Sequence, residues 1–156
     1  MTDEELQAAL PREMYVDGDH WALERDRVLY GEWYCAGRID DLGLATPKRV
    51  IAIEVADESV LLTSADDGTL HAAYNVCRHR GSQLCVPGQP ARDAGSLRCP
   101  YHSWTYALDG SLLKAPHATV TDPDAFALHP VGVEAWQGFV FVHLTPAQAR
   151  PLAEQV

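Results

Sequence analysis

No stretch of this chain comes near the roughly 18 consecutive apolar residues that a membrane-crossing helix requires. Its opening, MTDEELQAALPREM, lacks the basic and then apolar regions of a signal peptide. A cytoplasmic location and no membrane partner are the expectation. Positive charge is in deficit: 12 Lys and Arg stand against 22 Asp and Glu, a formal net charge of −10. That balance argues against nucleic acid or an anionic lipid surface, both of which demand clustered cations. Cysteine is limited to four residues. In a reducing compartment thiols stay free, so metal binding or plain packing comes before disulfides. Repeats and low-complexity tracts are also missing. What is present is 156 residues with 47% apolar side chains, enough to bury one core and too few for two full domains.

Residues 1–18 read as a charged lead-in. Asp19 stands where a helix N-cap would, and Trp21, Val28, Leu29 and Trp33 fall near helical spacing with Glu24, Arg25 and Arg27 between them. An amphipathic N-terminal helix is expected over 19–34. After Pro47 the pattern turns β-branched and alternating in KRVIAIEVA, SVLLTS follows, and DDG at 66–68 signals a hairpin turn into TLHAAYNV. VPGQPARDAGS, residues 86–96, carries two prolines and two glycines and reads as loop. LRC and TYAL read as strands meeting at the turn LDGS, and LHPVGVEAW and GFVFVHLT as a closing hairpin around Gln137-Gly138. TPAQARPLAEQV turns helix-like. The expected class is mainly β, built from short antiparallel strands.

The chemistry lies in two stretches, CRHRGSQLC at 77–85 and CPYHSWTY at 99–106. Cys77 and His79 form one pair and Cys99 and His102 the other, each just after an expected strand and at a loop tip. Tip residues are poor candidates for core packing, and two such loops can converge on one centre. Two kinds of metal site accept these donors. Zinc takes Cys2His2 tetrahedrally, but its fingers pair two cysteines at one end and two histidines at the other. A Rieske [2Fe–2S] cluster puts two cysteines on one iron and two histidines on the other, which is satisfied when each loop supplies one of each. The mixed pairing favours the cluster, with a structural zinc module as the alternative.

CRHRG followed by CPYHSWTY resembles the Rieske domain of the α subunits of ring-hydroxylating, Rieske-type non-haem iron oxygenases. EWYCAGRIDDL, TLHAAYNVCRHRG, LLKAPH and HPVGVEAWQGFVFVHL share the likeness, which runs from about residue 11 to the end. It implies a Rieske ISP-type antiparallel β-sandwich with a small cluster-binding subdomain and an N-terminal helix. The implied divisions are a Rieske domain over 35–144, with cluster-binding loops about 76–82 and 98–104, and over 145–156 the start of a connection to an absent catalytic domain. Cys77 and Cys99 would hold the inner iron, and His79 and His102 the outer one through Nδ1. With two ferric ions, two sulfides, two thiolates and two neutral imidazoles the formal charge is zero, so an electron is added more easily than to a four-thiolate cluster.

The family resemblance also implies an electron relay. Electrons come from a reductase or ferredoxin and go to a mononuclear Fe(II) in the catalytic domain of the same or a neighbouring α subunit. The facial triad that would hold that iron, two histidines and a carboxylate, is not visible in this sequence. The chain is therefore expected to carry electrons without oxygenating. A free-standing Rieske ferredoxin is the alternative, although such proteins lack the N-terminal helix and the long C-terminal extension. In high-potential Rieske proteins a disulfide braces the loops and a serine donates to a bridging sulfide. Here Tyr101 and Trp104 occupy those positions, which implies a potential near the bottom of the range of about −150 to +300 mV.

Other candidates have plainer readings. Cys85 and Cys35 are expected as small packed side chains. Arg78 and Arg80 either tune the cluster, dock a partner or are simply solvated, and Trp104 is expected to shield the centre from water. His20, His71, His117, His129 and His143 show no ligand spacing. With the catalytic domain absent, Trp21 and Trp33 are expected to lose a packing partner and leave an apolar patch that favours a homo-oligomer. The overall acidity suggests that a basic face on the electron donor would steer docking.

Overall fold

RVIAIEV and ESVLLTS become β2 (Arg49–Val55) and β3 (Glu58–Ser64), paired antiparallel through seven residues. β3 is buried from Val60 to Ser64, which explains why its apolar pattern does not alternate cleanly. Val60 and Leu62 face one core while Leu61 faces the other, so both sides of the strand are covered. The computed structural model describes residues 9–156. The mainly β, antiparallel architecture expected from the sequence is present.

The remaining strands are β1 (Tyr34–Arg38), β4 (Leu70–Tyr74), β5 (Arg92–Asp93), β6 (Leu97–Arg98), β7 (Thr105–Tyr106), β8 (Leu112–Lys114), β9 (Pro130–Trp136) and β10 (Phe139–His143). A curled sheet runs in the order β1-β10-β9-β4-β3-β2-β5, and β6-β7-β8 forms a second, small sheet. One core, with Val55, Val60, Leu62, Val131, Val140 and Val142, lies inside the curl. The other, with Val50, Leu61, Leu97, Tyr106 and Leu128, lies between the two sheets and includes Cys77 and Cys99. The β9–β10 hairpin turns at Gln137 (φ 47°) and Gly138 (φ 82°), the pair of left-handed residues that a type I′ turn requires.

Several boundaries differ from the sequence expectation. The N-terminal helix is not one element over 19–34. A single turn, α1 (Glu13–Val16), lies within what reads as lead-in, and α2 (Gly18–Glu24) continues as a π-helical turn over Arg25–Leu29. The cap is Asp17, not Asp19: its extended backbone lets Oδ1 accept from the N–H groups of Asp19 (2.7 Å) and His20 (3.4 Å). Residues 1–8 of the lead-in lie outside the described residues. The stretch 86–96 is not wholly loop. Arg49 ties it down, with Nη1 on Asp93 (2.8 Å) and Nη2 on the Ala91 carbonyl (2.7 Å), and β5 then pairs with β2. LDGS joins β7 to β8, and what separates β6 from β7 is the CPYHSW loop itself. The C-terminal stretch forms two 3₁₀ turns, Pro146–Gln148 and Leu152–Glu154, with Leu152 buried and its N–H on Glu134.

Trp33 does not share the exposure expected of it. It is half-buried, edge-on to the His143 ring at 5.4 Å, and its Nε1–H donates to the Arg150 carbonyl at 2.8 Å. Trp21 is 48% exposed, as anticipated, and Leu23 and Val28 beside it are also open. Cys35 is exposed instead of packed, because β1 is the edge strand of the curled sheet and this position points outward from it. No helix among the described residues is long and apolar enough to cross a membrane.

Candidate metal centre

Both Cys/His pairs sit on loops with the same backbone closure. In the first, the Cys77 N–H donates to the Ser82 carbonyl (2.8 Å) and the Cys77 carbonyl accepts from Gly81 (3.0 Å). In the second, the Cys99 N–H donates to the Trp104 carbonyl (2.8 Å) and the Cys99 carbonyl accepts from Ser103 (3.1 Å). Each loop passes through a left-handed residue just before it closes, Gly81 (φ 72°) and Ser103 (φ 60°). The two loops meet at their tips. The His79 and His102 rings lie edge to face with centroids 4.8 Å apart, and both cysteines are buried. The structure thus brings together all four residues expected from the sequence.

The protonation of the donors follows from their surroundings. Burial pushes the Cys77 thiol up. Burial also opposes ionisation of Cys99, but the N–H groups of Tyr101 and His102, with Cys77 and Ser82, outweigh it and bring that thiol below its ordinary value. Burial, then the neighbouring His102 and Arg80, hold His79 below the usual imidazole range. A neutral ring with a free lone pair is what a metal ligand needs. His102 shows where such a lone pair points: its Nδ1 is buried and has no hydrogen-bond partner. A buried polar atom without a partner costs about 1–3 kcal/mol, and a bound cation removes that cost. Among the described residues no three His, Cys, Asp or Glu side chains are disposed around one metal-ion position.

Aromatic side chains close the centre from behind. Trp104 is 3% exposed and stacks on His79 with centroids 4.9 Å apart and planes 5° apart, the shielding position expected for it. Phe126 packs edge-on against Trp104 at 5.6 Å. Tyr101 leans on the His102 ring at 3.8 Å yet is 62% exposed, so the outer edge of that histidine borders solvent. Arg78 is neither solvated nor free for a partner. It turns inward to His129 and the Ala125 carbonyl, bracing the first loop against residues 122–129. Cys85 is packed against the inter-sheet core, as expected, and accepts from Arg92 Nη2 at 3.4 Å.

Two functional residues escaped the sequence reading. Tyr106, fully buried on β7, places its hydroxyl between the Arg78 N–H, from which it accepts at 3.0 Å, and the Cys77 sulfur at 3.4 Å. Its own ionisation is pushed up by burial and by Cys77, so it remains a donor to sulfur. Asn75, also fully buried, uses its whole hydrogen-bonding capacity. Its Nδ2 donates to Ser59 Oγ (3.0 Å) and the Cys85 carbonyl (2.7 Å), while Oδ1 accepts from the N–H groups of Leu84 and Cys85 (3.0 Å each). The signal for Tyr106 was its place seven residues after a candidate ligand cysteine, where alternation alone reads it as core. Asn75 was flagged only by being a polar residue at the end of an apolar strand.

The family model described as Rieske [2Fe-2S] domain matches residues 32–129. The glycine betaine monooxygenase oxygenase subunit of Chromohalobacter salexigens is 38% identical over 138 residues, covering 87% of this chain and 30% of that protein. The carnitine monooxygenase oxygenase subunit of Escherichia coli K12 is 34% identical over 140 residues, 88% of this chain and 36% of the relative. The solved structure of the quaternary ammonium Rieske monooxygenase CntA with L-carnitine superposes with a TM-score of 0.83 at 31% identity, covering 94% of this chain and 41% of the other. The chain spans about a third of the length of the curated relatives it matches.

Proposed function

The chain belongs to the Rieske [2Fe-2S] domain family, and from that premise we propose that Cys77, His79, Cys99 and His102 hold the [2Fe–2S] cluster of an electron-transfer domain in a Rieske oxygenase. The observation that carries the assignment is the unpartnered, buried Nδ1 of His102 beside the His79 ring, with both thiols buried behind them. When bound, such a cluster accepts and releases one electron at a time. The thiolates of Cys77 and Cys99 and the Nδ1 atoms of His79 and His102 would hold it, and the opposite edges of the two rings would then be free to face an electron donor or acceptor. Trp104 keeps water off His79. The Tyr106 hydroxyl donates to the Cys77 sulfur and favours the more negative, reduced state. It is one donor where high-potential Rieske proteins have more, so the midpoint potential is expected in the lower part of the family range.

Residues 35–144 form the Rieske unit in this reading, and 145–156 lead toward a catalytic domain with the mononuclear iron that receives the electrons. The donor is a reductase or ferredoxin, and the setting is cytoplasmic. The relatives named for glycine betaine and carnitine make a quaternary ammonium compound the substrate class to test first in the complete oxygenase. For this chain, the decisive experiment is reconstitution with iron and sulfide, followed by visible absorption and electron paramagnetic resonance. A red-brown protein with a rhombic signal on reduction, lost in His102→Ala and Cys99→Ser, is expected. Colourless folded protein with one bound zinc per chain, or a midpoint well above zero, contradicts the reading of the cofactor or of its potential respectively.

A further inference from the structure

The net charge of −10 conceals a reversal of sign. Between Asn75 and Pro116 the chain carries five basic side chains and only Asp93 and Asp109 as acids, so the segment that bears the metal centre is net positive by three. Both acids are engaged: Asp93 pairs with Arg49 at 2.8 Å, and Asp109 accepts from Ser111 in its own turn. The basic residues are not evenly spread. Arg78 faces inward to His129 and Arg92 lies against Cys85. Arg80, Arg98 and Lys114 are exposed.

The small sheet explains how two of these come to share one face beside the second loop. Arg98 pairs with Thr105, and Thr105 pairs with Lys114. Residues directly opposite on neighbouring strands share a face, so Arg98 and Lys114 lie on the same outer face of the sheet. Leu97 and Tyr106, the adjacent pair, are buried on the other. Arg98 Nη2 donates to Ser103 Oγ at 2.9 Å, which fixes the guanidinium beside the loop residue that follows His102. Arg80 follows His79 on the other loop. The exposed ring of Tyr101 lies at this tip and touches His102. Asp122 and Asp124 are exposed and acidic beside Phe126, the residue that packs on Trp104 behind the centre.

We propose that Arg80, Arg98 and Lys114, around Tyr101 and His102, form the docking rim for an acidic one-electron carrier protein that reduces this domain. The inference rests on the electron-transfer reading above and reverses the expectation, drawn from total charge, that the donor presents a basic face. Each productive encounter moves one electron from the reduced carrier to the centre held by this chain, so the carrier is oxidised by one electron and no proton or bond changes. Long-range attraction between opposite charges speeds the encounter by about 10- to 1,000-fold at low salt and fades as salt screens it.

The test uses reduced plant-type ferredoxin, an acidic carrier, as the probe. Stopped-flow bleaching of the cluster-loaded protein gives the second-order rate. Calorimetric titration with oxidised ferredoxin gives binding that does not depend on cluster loading. The rate is expected to fall about tenfold or more between roughly 10 and 200 mM salt. The combined variant Arg80→Glu, Arg98→Gln, Lys114→Glu should be slower by about tenfold at low salt and converge on the wild type at high salt, a convergence that damage to the centre would not produce. Lys114→Glu alone, away from both ligand loops, should show a smaller loss of the same kind, with the midpoint potential recorded for each variant. The proposal is overturned by rates that rise with salt, by variants that stay slow at high salt, or by faster low-salt exchange with basic cytochrome c. Self-association that disappears in the variants, with no effect on ferredoxin, assigns the rim to a second copy and also overturns it. Loaded protein indifferent to these charges sinks the rim alone, whereas salt-sensitive binding by protein that takes up no cluster sinks only the cofactor assignment.

Discussion

The two candidate ligand loops close with the same backbone bonds but are held by different means. Loop 77–82 depends on polar side chains: Asn75 clasps the segment that follows it, Arg78 braces it against 122–129, and Tyr106 reaches across to it. Loop 99–104 depends on aromatic packing, with Trp104 buried behind it and Tyr101 leaning on His102. Tyr106 joins the two, because it leaves the second loop on β7 and spends its hydroxyl on the first. A common turn therefore fixes where each cysteine points, and unlike supports set how firmly it is held. The first loop should fail through lost hydrogen bonds and the second through lost packing.

The largest effect expected from that difference is at Asn75. Asn75→Ala leaves the N–H groups of Leu84 and Cys85 and the Cys85 carbonyl without their partner in a buried place. At about 1–3 kcal/mol for each unsatisfied group, urea unfolding should show a loss of roughly 3 kcal/mol or more. A cost no larger than that of a surface substitution would mean that the backbone closure alone holds the first loop. Next comes Gly81→Val. A Cβ there meets nothing within 4 Å, so its cost is backbone strain alone, about 2 kcal/mol for a branched residue at positive φ. Gly81→Asn should recover most of that in the same measurement, since Asn tolerates the left-handed region.

Most of this organisation was legible where it is local. The convergence of the four candidate ligands, the DDG and Gln137-Gly138 turns and the paired strands follow from spacing and from alternation over a few residues. What was not legible depends on partners far away in sequence. Nothing in 86–96 announces β5, which exists because Arg49, 44 residues from Asp93, captures it. Tyr106 looks like core until Cys77, 29 residues back, is placed beside its hydroxyl. The helix start moved to Asp17 because DGD offers two candidate caps, and only backbone geometry chooses between them. Total charge hides local charge for a similar reason, since it sums residues 75–116, net positive by three, with an acidic remainder.

Tyr106→Phe sharpens the comparison from the side of function. It removes the donor to the Cys77 sulfur and the acceptor for the Arg78 N–H while keeping the ring in the core. Loss of one hydrogen bond to the thiolate disfavours the reduced state, so the midpoint potential should move down by tens of mV. About 59 mV corresponds to a tenfold change in a one-electron equilibrium. Voltammetry that finds no shift, or an upward one, would show that this hydroxyl positions Arg78 without tuning the centre.

The smallest effect is the most discriminating for the shared turn. Ser103 occupies the left-handed position that Gly81 holds in the other loop. Ser103→Gly relieves about 1 kcal/mol of backbone strain. Against that stand the greater freedom of glycine in the unfolded chain and the lost hydrogen bond from Arg98. These oppose each other closely, so thermal unfolding should change by no more than about 0.5 kcal/mol, whereas Gly81→Ser should cost about 1 kcal/mol. That asymmetry between two swaps of the same residue types is what equivalent turns with unequal supports require. A strongly destabilised Ser103→Gly would instead place the stability of the second loop in the Arg98–Ser103 bond, and aromatic packing would no longer be its main support.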